Sequence, residues 1–246
     1  MRSLRLCLLL CLPASLPLPA WAAAQLAVQP LSLTLPAAQF STAVTLTNNG
    51  DKPVTLQAEV FDWQQINGED QLSETRSLVA SPAVVEVPAG AQQIIRVGRL
   101  VTATPASKEQ AYRLKISEIP TDKPMGQVSS ILQLVLPLFV PPRTSSNTPN
   151  KAAIKAEARA DGQHLLLQLV NLGNQRGRLT MVKVESGGQS IELPQNAYVL
   201  AGSQRTLRLP YSEFAGLPVG DAVLTLTYDR KGGTQTVPLP VRVLAP

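Results

Sequence analysis

Residues 111–142, AYRLKISEIPTDKPMGQVSSILQLVLPLFVPP, decide the fold. In the first arm Tyr112, Leu114 and Ile116 alternate with Arg113, Lys115 and Ser117. Period two is the mark of a strand with one buried face. A loop with Pro, Asp, Lys and Gly, from Pro120 to Gln127, leads into a second arm of different character. There Ile131, Leu132, Leu134, Val135, Leu136, Leu138, Phe139 and Val140 form a nearly continuous apolar run, broken by Gln133 and Pro137. A strand apolar on both faces must be covered on both. A proline within it removes a ladder donor and points to a sheet edge. Stable proteins normally blunt an apolar edge because it invites pairing with other chains. The two signals agree if this edge exists to be covered by something else.

Outward from this stretch the chain reads as all-β. Leu26–Leu35 alternates around Pro30 and reads as one edge strand. Ala43–Thr47 and Val54–Trp63 flank the turn residues Asn48-Asn49-Gly50-Asp51-Lys52-Pro53. After a turn at Asn67-Gly68-Glu69-Asp70, Val84–Val87 and Gln92–Val97 flank Pro88-Ala89-Gly90. Turn signals about every ten residues are those of an immunoglobulin-like sandwich. Arg143 to Asn150 has no apolar pattern and reads as a linker. A second series follows it: Ala152–Ala160, Leu165–Val170, Leu179–Val184, Tyr198–Leu200, Gln204–Leu209, Ala222–Tyr228 and Gln235–Val243. No internal repeat is strong enough to imply duplication. The expected organisation is a signal peptide at 1–24, a first domain at 25–142, a linker at 143–150 and a second domain at 151–246.

The N-terminus has the parts of an export signal: Arg2 and Arg5, an apolar core at Leu6–Leu12, and small residues around Ala20–Ala24. Cleavage after Ala22 or Ala24 fits. Cys11 lacks the small preceding residue of a lipid-attachment site, and no later stretch has the length of a membrane helix. Both cysteines, Cys7 and Cys11, fall within the signal, so the mature chain is expected to lack disulfides although exported. The formal charge is +5, two units of which belong to Arg2 and Arg5. No basic block or aromatic-interleaved basic stripe suggests nucleic acid.

Chemistry is sparse. The lone His164 beside the Asp161-Gly162 turn cannot build the usual zinc site or a Ser-His or Cys-His pair. Asp62, Glu69 and Asp70 fall at a strand end and a turn, where acids ordinarily serve solvation. No Gly-rich loop precedes a helix, so no phosphate cradle is expected. The expectation is a protein that is not an enzyme and carries no cofactor or metal.

Several segments together resemble the periplasmic pilus-assembly chaperones of the chaperone–usher pathway. They are VTLTNNGDKPVTLQAEVFDW, ASPAVVEVPAGAQQIIRV, YRLKISEIP and the run ending LPLFVPP, with LQLVNLGNQRGRL and YVLAGSQRTLRL in the second half. The long run Phe61–Ser81 and the cysteine-free mature chain look most like the archaic or alternative branch. The resemblance implies two immunoglobulin-like sandwiches set in an L around a cleft, in the periplasm of a Gram-negative bacterium. It implies pilus subunits and an outer-membrane usher as partners. The chaperone would lend an edge strand to the incomplete sandwich of a subunit. An edge of this kind is also open to self-association in the free protein.

The donor strand implied by the resemblance is Val128–Val140. Leu132, Leu134 and Leu136 are expected to enter subunit pockets, with Val128 and Ser130 at weaker positions. Ile131, Gln133 and Val135 are then expected to face the chaperone's own core. A one-residue slip would exchange the two sets. The family's basic pair for a subunit's terminal carboxylate has approximate counterparts at Ser32 and Pro137, so the pattern departs at both. Replacement cations are sought at Arg113, Lys115 and Arg96, with the Arg113 fork preferred for bidentate binding. Glu118 stands where the family places an acid that fixes the interdomain angle. Its arginine partner is missing at Pro141, leaving Arg143 as the substitute. The alternative of a fimbrial adhesin or structural subunit would want a long extended N-terminal segment, whereas Gln25–Pro30 is short and holds a proline. A carbohydrate-binding module would want exposed aromatics, and few are present.

Overall fold

The computed structural model describes residues 26–36, 38–100, 106–120, 131–142, 151–161, 163–218 and 221–229, and the backbone of 234–238. The signal segment, Val128, Ser130, Arg143 and the expected linker lie outside the described residues.

The first half of the chain contributes β1 (Leu26–Gln29), β2 (Leu33–Thr34), β3 (Ser41–Asn48), β4 (Val54–Ile66) and β5 (Glu69–Glu74). It continues with β6 (Leu78–Ser81), β7 (Val84–Val87), β8 (Gln92–Arg99), β9 (Gln110–Glu118) and β10 (Gln133–Val140). One sheet runs β1-β3-β8-β6 and the other β2-β10-β9-β4-β5, with β7 also on β4. Alternation along the strands explains the core between them. Val44 and Leu46 of β3, Ile95 and Val97 of β8, and Tyr112, Leu114 and Ile116 of β9 all point inward and are buried.

The second half contributes β11 (Ile154–Asp161), β12 (His164–Asn171), β13 (Gly177–Ser186), β14 (Gln189–Val199), β15 (Gln204–Pro210), β16 (Ala222–Tyr228) and β17 (Thr234–Pro238). They form a sheet β11-β12-β15 facing a sheet β14-β13-β16-β17. Leu165, Leu167 and Leu169 pack with Val182, Val184, Leu224 and Leu226 in a separate core. The chain is therefore all-β, with two sandwiches.

Three readings change. The expected single strand from Leu26 to Leu35 divides at Pro30. Its first part pairs with β3, and its second pairs in parallel with β10 in the opposite sheet. Proline lacks the N–H that continuous pairing would use. The expected turn at Asn67–Asp70 is present but tighter, at Asn67-Gly68, because β4 continues to Ile66 and folds back as β5 from Glu69. The expected short strand Tyr198–Leu200 falls at the end of the eleven-residue β14, which stops at Val199.

The turn NNGDKP has more structure than its composition announced. Asn48 is fully buried. Its Nδ2 donates to the carbonyls of Lys52 and Val87, and its Oδ1 accepts from Gly50 N. Asn171 repeats this in the second sandwich, donating to Gln175 and Val199 and accepting from Gly173 N and Ala153 N. Each asparagine closes its own turn and ties it to a distant strand, so the two sandwiches share a device that no sequence repeat advertises.

Candidate binding edge and cleft

β10 is an edge for only part of its length. Among the described residues β2 pairs with it at Leu138 and Phe139 alone, so from Gln133 to Pro137 its one described neighbour is β9. The carbonyl of Leu132 accepts from Glu118 N on the β9 side, and that of Phe139 accepts from Leu35 N on the opposite side. Alternation then directs the backbone groups of Gln133 and Val135 to the open side. Pro137 shares that parity, so its missing N–H falls on the open side and leaves the β9 ladder intact.

The two faces of β10 are the reverse of the expected phase. Leu136 (6% exposed), Leu138 and Val140 are buried in the first core, and Leu134 packs against it. Ile131 is 57% and Val135 41% exposed, and Gln133 is exposed between them. The register explains this. Leu134 lies opposite Ile116 and Leu136 opposite Leu114, both core residues, whereas Val135 lies opposite Lys115. Leu132, Leu134 and Leu136 therefore do not form the outward ridge; Ile131, Gln133 and Val135 do.

Further along, the outward face of β10 passes beneath the second sandwich. Phe139 is fully buried in a small cluster with Trp63 and Leu200, flanked by Ala111 and Tyr198. The rings of Trp63, Phe139 and Tyr198 lie 5.5–5.9 Å apart in tilted and edge-on pairs. Gln65 crosses the junction, donating to Tyr198 O at 2.8 Å and accepting from Leu200 N at 2.9 Å. The β4–β5 hairpin reaches β15: Thr206 N donates to Gly68 O, Arg205 meets Asp70 at 2.9 Å and Arg208 meets Glu69 at 3.1 Å. Gly68 has φ +84°, and a Cβ there would strike the Thr206 side chain.

Two arginines cover the rings of this cluster. Arg113 stacks 3.5 Å over the Trp63 ring, and Arg176 stacks 3.5 Å over Phe139. Burial lowers the Arg113 pKa, with Asp70 and Tyr198 opposing and Arg205 adding to the fall. Among the described residues no carboxylate lies within 4.0 Å of Arg113. The half-buried guanidinium is thus held by an aromatic face and left short of an anion.

The other expected site residues fare differently. Lys115 is taken by Glu59 at 3.0 Å and lies over Phe61. Arg96 is exposed on β8, in the other sheet, between the inward-facing Ile95 and Val97, so it does not join Arg113. Glu118 is not at the junction. It ends β9 on the side away from the second sandwich and accepts from Leu132 N at 3.2 Å. The acid at the other end of β9, Glu109, is the one that reaches the second sandwich: it holds both the backbone N and the guanidinium of Arg176, while its own N donates to Asn174 O. Asp70, expected to serve only solvation, is bound to Arg205 and Gln65. His164 opens β12 opposite Asp161 and Pro210. Among the described residues no cluster of His, Cys, Asp or Glu suits a metal, and no helix is long and apolar enough to cross a membrane.

Residues 25–146 match the family model described as "Pili and flagellar-assembly chaperone, PapD N-terminal domain". No curated protein matches the chain. Among solved structures, the fold is similar to the CsuC–CsuE chaperone–tip adhesion subunit pre-assembly complex from archaic chaperone-usher Csu pili of Acinetobacter baumannii. That match has 23% identity and a TM-score of 0.66, covering 88% of this chain and 98% of the other. The Salmonella enterica SafB chaperone in complex with SafA pilin gives 17% identity and a TM-score of 0.57, covering 89% and 97%. The Pseudomonas aeruginosa CupB2 chaperone gives 17% and 0.55, covering 85% and 97%. With a family match over the first sandwich and a two-sandwich fold shared along almost the whole length of these chaperones, the chain belongs to the pilus-assembly chaperones.

Proposed function

We propose that this chaperone holds a pilus subunit by adding the open part of β10 to the subunit's incomplete sandwich, in the periplasm, before handing it to an outer-membrane usher. The observation that carries the reading is the geometry of residues 131–137. Among the described residues a backbone edge without a partner coincides there with an outward ridge of Ile131, Gln133 and Val135. Backbone bonds along such an edge supply affinity and alternate side chains supply specificity, and chaperone–pilin complementation is a known case of this mode. Ile131 and Val135, about half exposed, would each gain about 1–1.5 kcal/mol on full burial. Arg113 is the anchor for the subunit's terminal carboxylate, since its fork lacks an anion and lies opposite Pro137, where the open edge ends. The long β4–β5 hairpin supports the archaic branch. Structural subunits, the other reading, have nothing comparable in their favour here.

The test is periplasmic co-expression with a pilus subunit from the same organism, comparing wild type, Val135→Glu and Lys183→Glu. Stoichiometric recovery of the subunit with wild type and Lys183→Glu, lost with Val135→Glu, supports the reading. Equal recovery with all three places the interface elsewhere.

A further inference from the structure

The outward face of the open edge is not uniform. Ile131 and Val135 are apolar, but Gln133 stands between them and is exposed. The registers place it at the end of a polar row that crosses three strands. Gln57 of β4 lies opposite Ser117 of β9, and Ser117 lies opposite Gln133. Gln133 Nε2 donates to Ser117 Oγ at 3.3 Å, and among the described residues that is the only partner of its side chain. The row stops at β10, on the side where the backbone of Gln133 is open. A carboxamide offers two N–H groups and two carbonyl lone pairs, so most of this capacity is left to water in the free protein.

We propose that Gln133 is the specificity-determining residue of this edge. It selects subunits whose groove carries a neutral hydrogen-bonding side chain, of the Ser, Thr, Asn or Gln kind, between the sites that take Ile131 and Val135. This rests on the strand-addition reading and deepens it, from holding an incomplete sandwich to choosing among them. Residues two apart on a strand are separated by about 6.7 Å. Once Ile131 and Val135 are buried, the amide between them therefore loses its water as well. An amide buried without partners costs about as much as one of its apolar neighbours gains. A wholly apolar groove would forfeit much of what the ridge contributes, whereas a groove with a matching donor or acceptor keeps it. Gln133 thus acts against the wrong subunit as much as for the right one. A site built around a hydrogen bond also discriminates more sharply than one built from methyl groups. Ser117 tethers the amide from the β9 side and leaves its carbonyl and second N–H for the incoming partner.

The test is competitive capture in the periplasm. Wild type and one variant, each full length and carrying a different affinity tag, are expressed together with the pilus subunits of the same organism, and the subunit recovered on each tag is measured. Gln133→Leu keeps the bulk of the side chain and makes the ridge wholly apolar, yet is expected to capture about tenfold less subunit than wild type. Val135→Gln, which puts the same amide at an apolar position, is expected to lose about as much. Both side chains are exposed in the free chain, so urea midpoints should stay near wild type and separate these losses from a failure to fold. If Gln133→Leu captures as much subunit as wild type, or more, while Val135→Gln is depleted, the selection is overturned and strand addition stands. Capture unchanged by both substitutions, or no subunit on any tag, overturns strand addition and the selection with it.

Discussion

Neighbouring residues of β10 should answer to different measurements. Leu136 is 6% exposed within the first core and lies opposite Leu114, whereas Val135 is 41% exposed and lies opposite Lys115. Truncating a buried leucine to alanine removes its transfer energy and leaves a cavity, at about 2–5 kcal/mol. Truncating the half-exposed Val135 should cost no more than about 1 kcal/mol. Urea unfolding of Leu136→Ala should therefore show a much lower midpoint, while that of Val135→Ala stays close to wild type with an unchanged slope. Binding should reverse the order. Once corrected for unfolded protein, Leu136→Ala should retain its affinity for a pilus subunit and Val135→Ala should lose about fivefold, equivalent to about 1 kcal/mol. If Val135→Ala destabilises as much as Leu136→Ala, the inward and outward faces have been exchanged and the reasoning fails.

The remaining predictions concern the junction and the turns. Gln65→Ala deletes both bonds across the sandwiches and should cost about 1–3 kcal/mol, with a red shift of the Trp63 emission; an unshifted spectrum would mean that Gln65 does not hold the junction. Asn48→Ala orphans the Val87 carbonyl in the first sandwich and should cost about 2 kcal/mol, and Asn171→Ala should do the same in the second. Proteolysis of the two variants should expose different halves of the chain first. Lys115→Met breaks a partly exposed pair with Glu59 and the ammonium contact over Phe61, and should change thermal stability by less than about 1 kcal/mol.

Much of this architecture was legible because strands with one buried face declare themselves. Tyr112, Leu114 and Ile116 alternate cleanly, and their burial follows. The edge character of β10 was legible too, from Pro137 within an apolar run. Its phase was not, since apolar residues occupy both parities and only pairing with β9 chooses between them. β5 carried no signal at all. EDQLSE is exposed throughout, and its pairing with β4 rests on backbone bonds that any sequence can make. The junction was hidden for a different reason. Asp70 and Arg205 read as ordinary surface charges, and only the reach of the β4–β5 hairpin onto β15 brings them together. Glu109, rather than Glu118, holds the junction because β9 enters the first sandwich beside the second, which shows in contacts and not in residue type.

The central claim is that the open side of β10 acquires a strand. Amide hydrogen exchange, read residue by residue by NMR in the free chaperone and in a complex with a pilus subunit, tests it most directly. The N–H groups of Gln133 and Val135 should exchange fast in the free protein and become protected in the complex, while those of Leu134 and Leu136 should be protected in both. Fast exchange at Gln133 and Val135 in a saturated complex would contradict it.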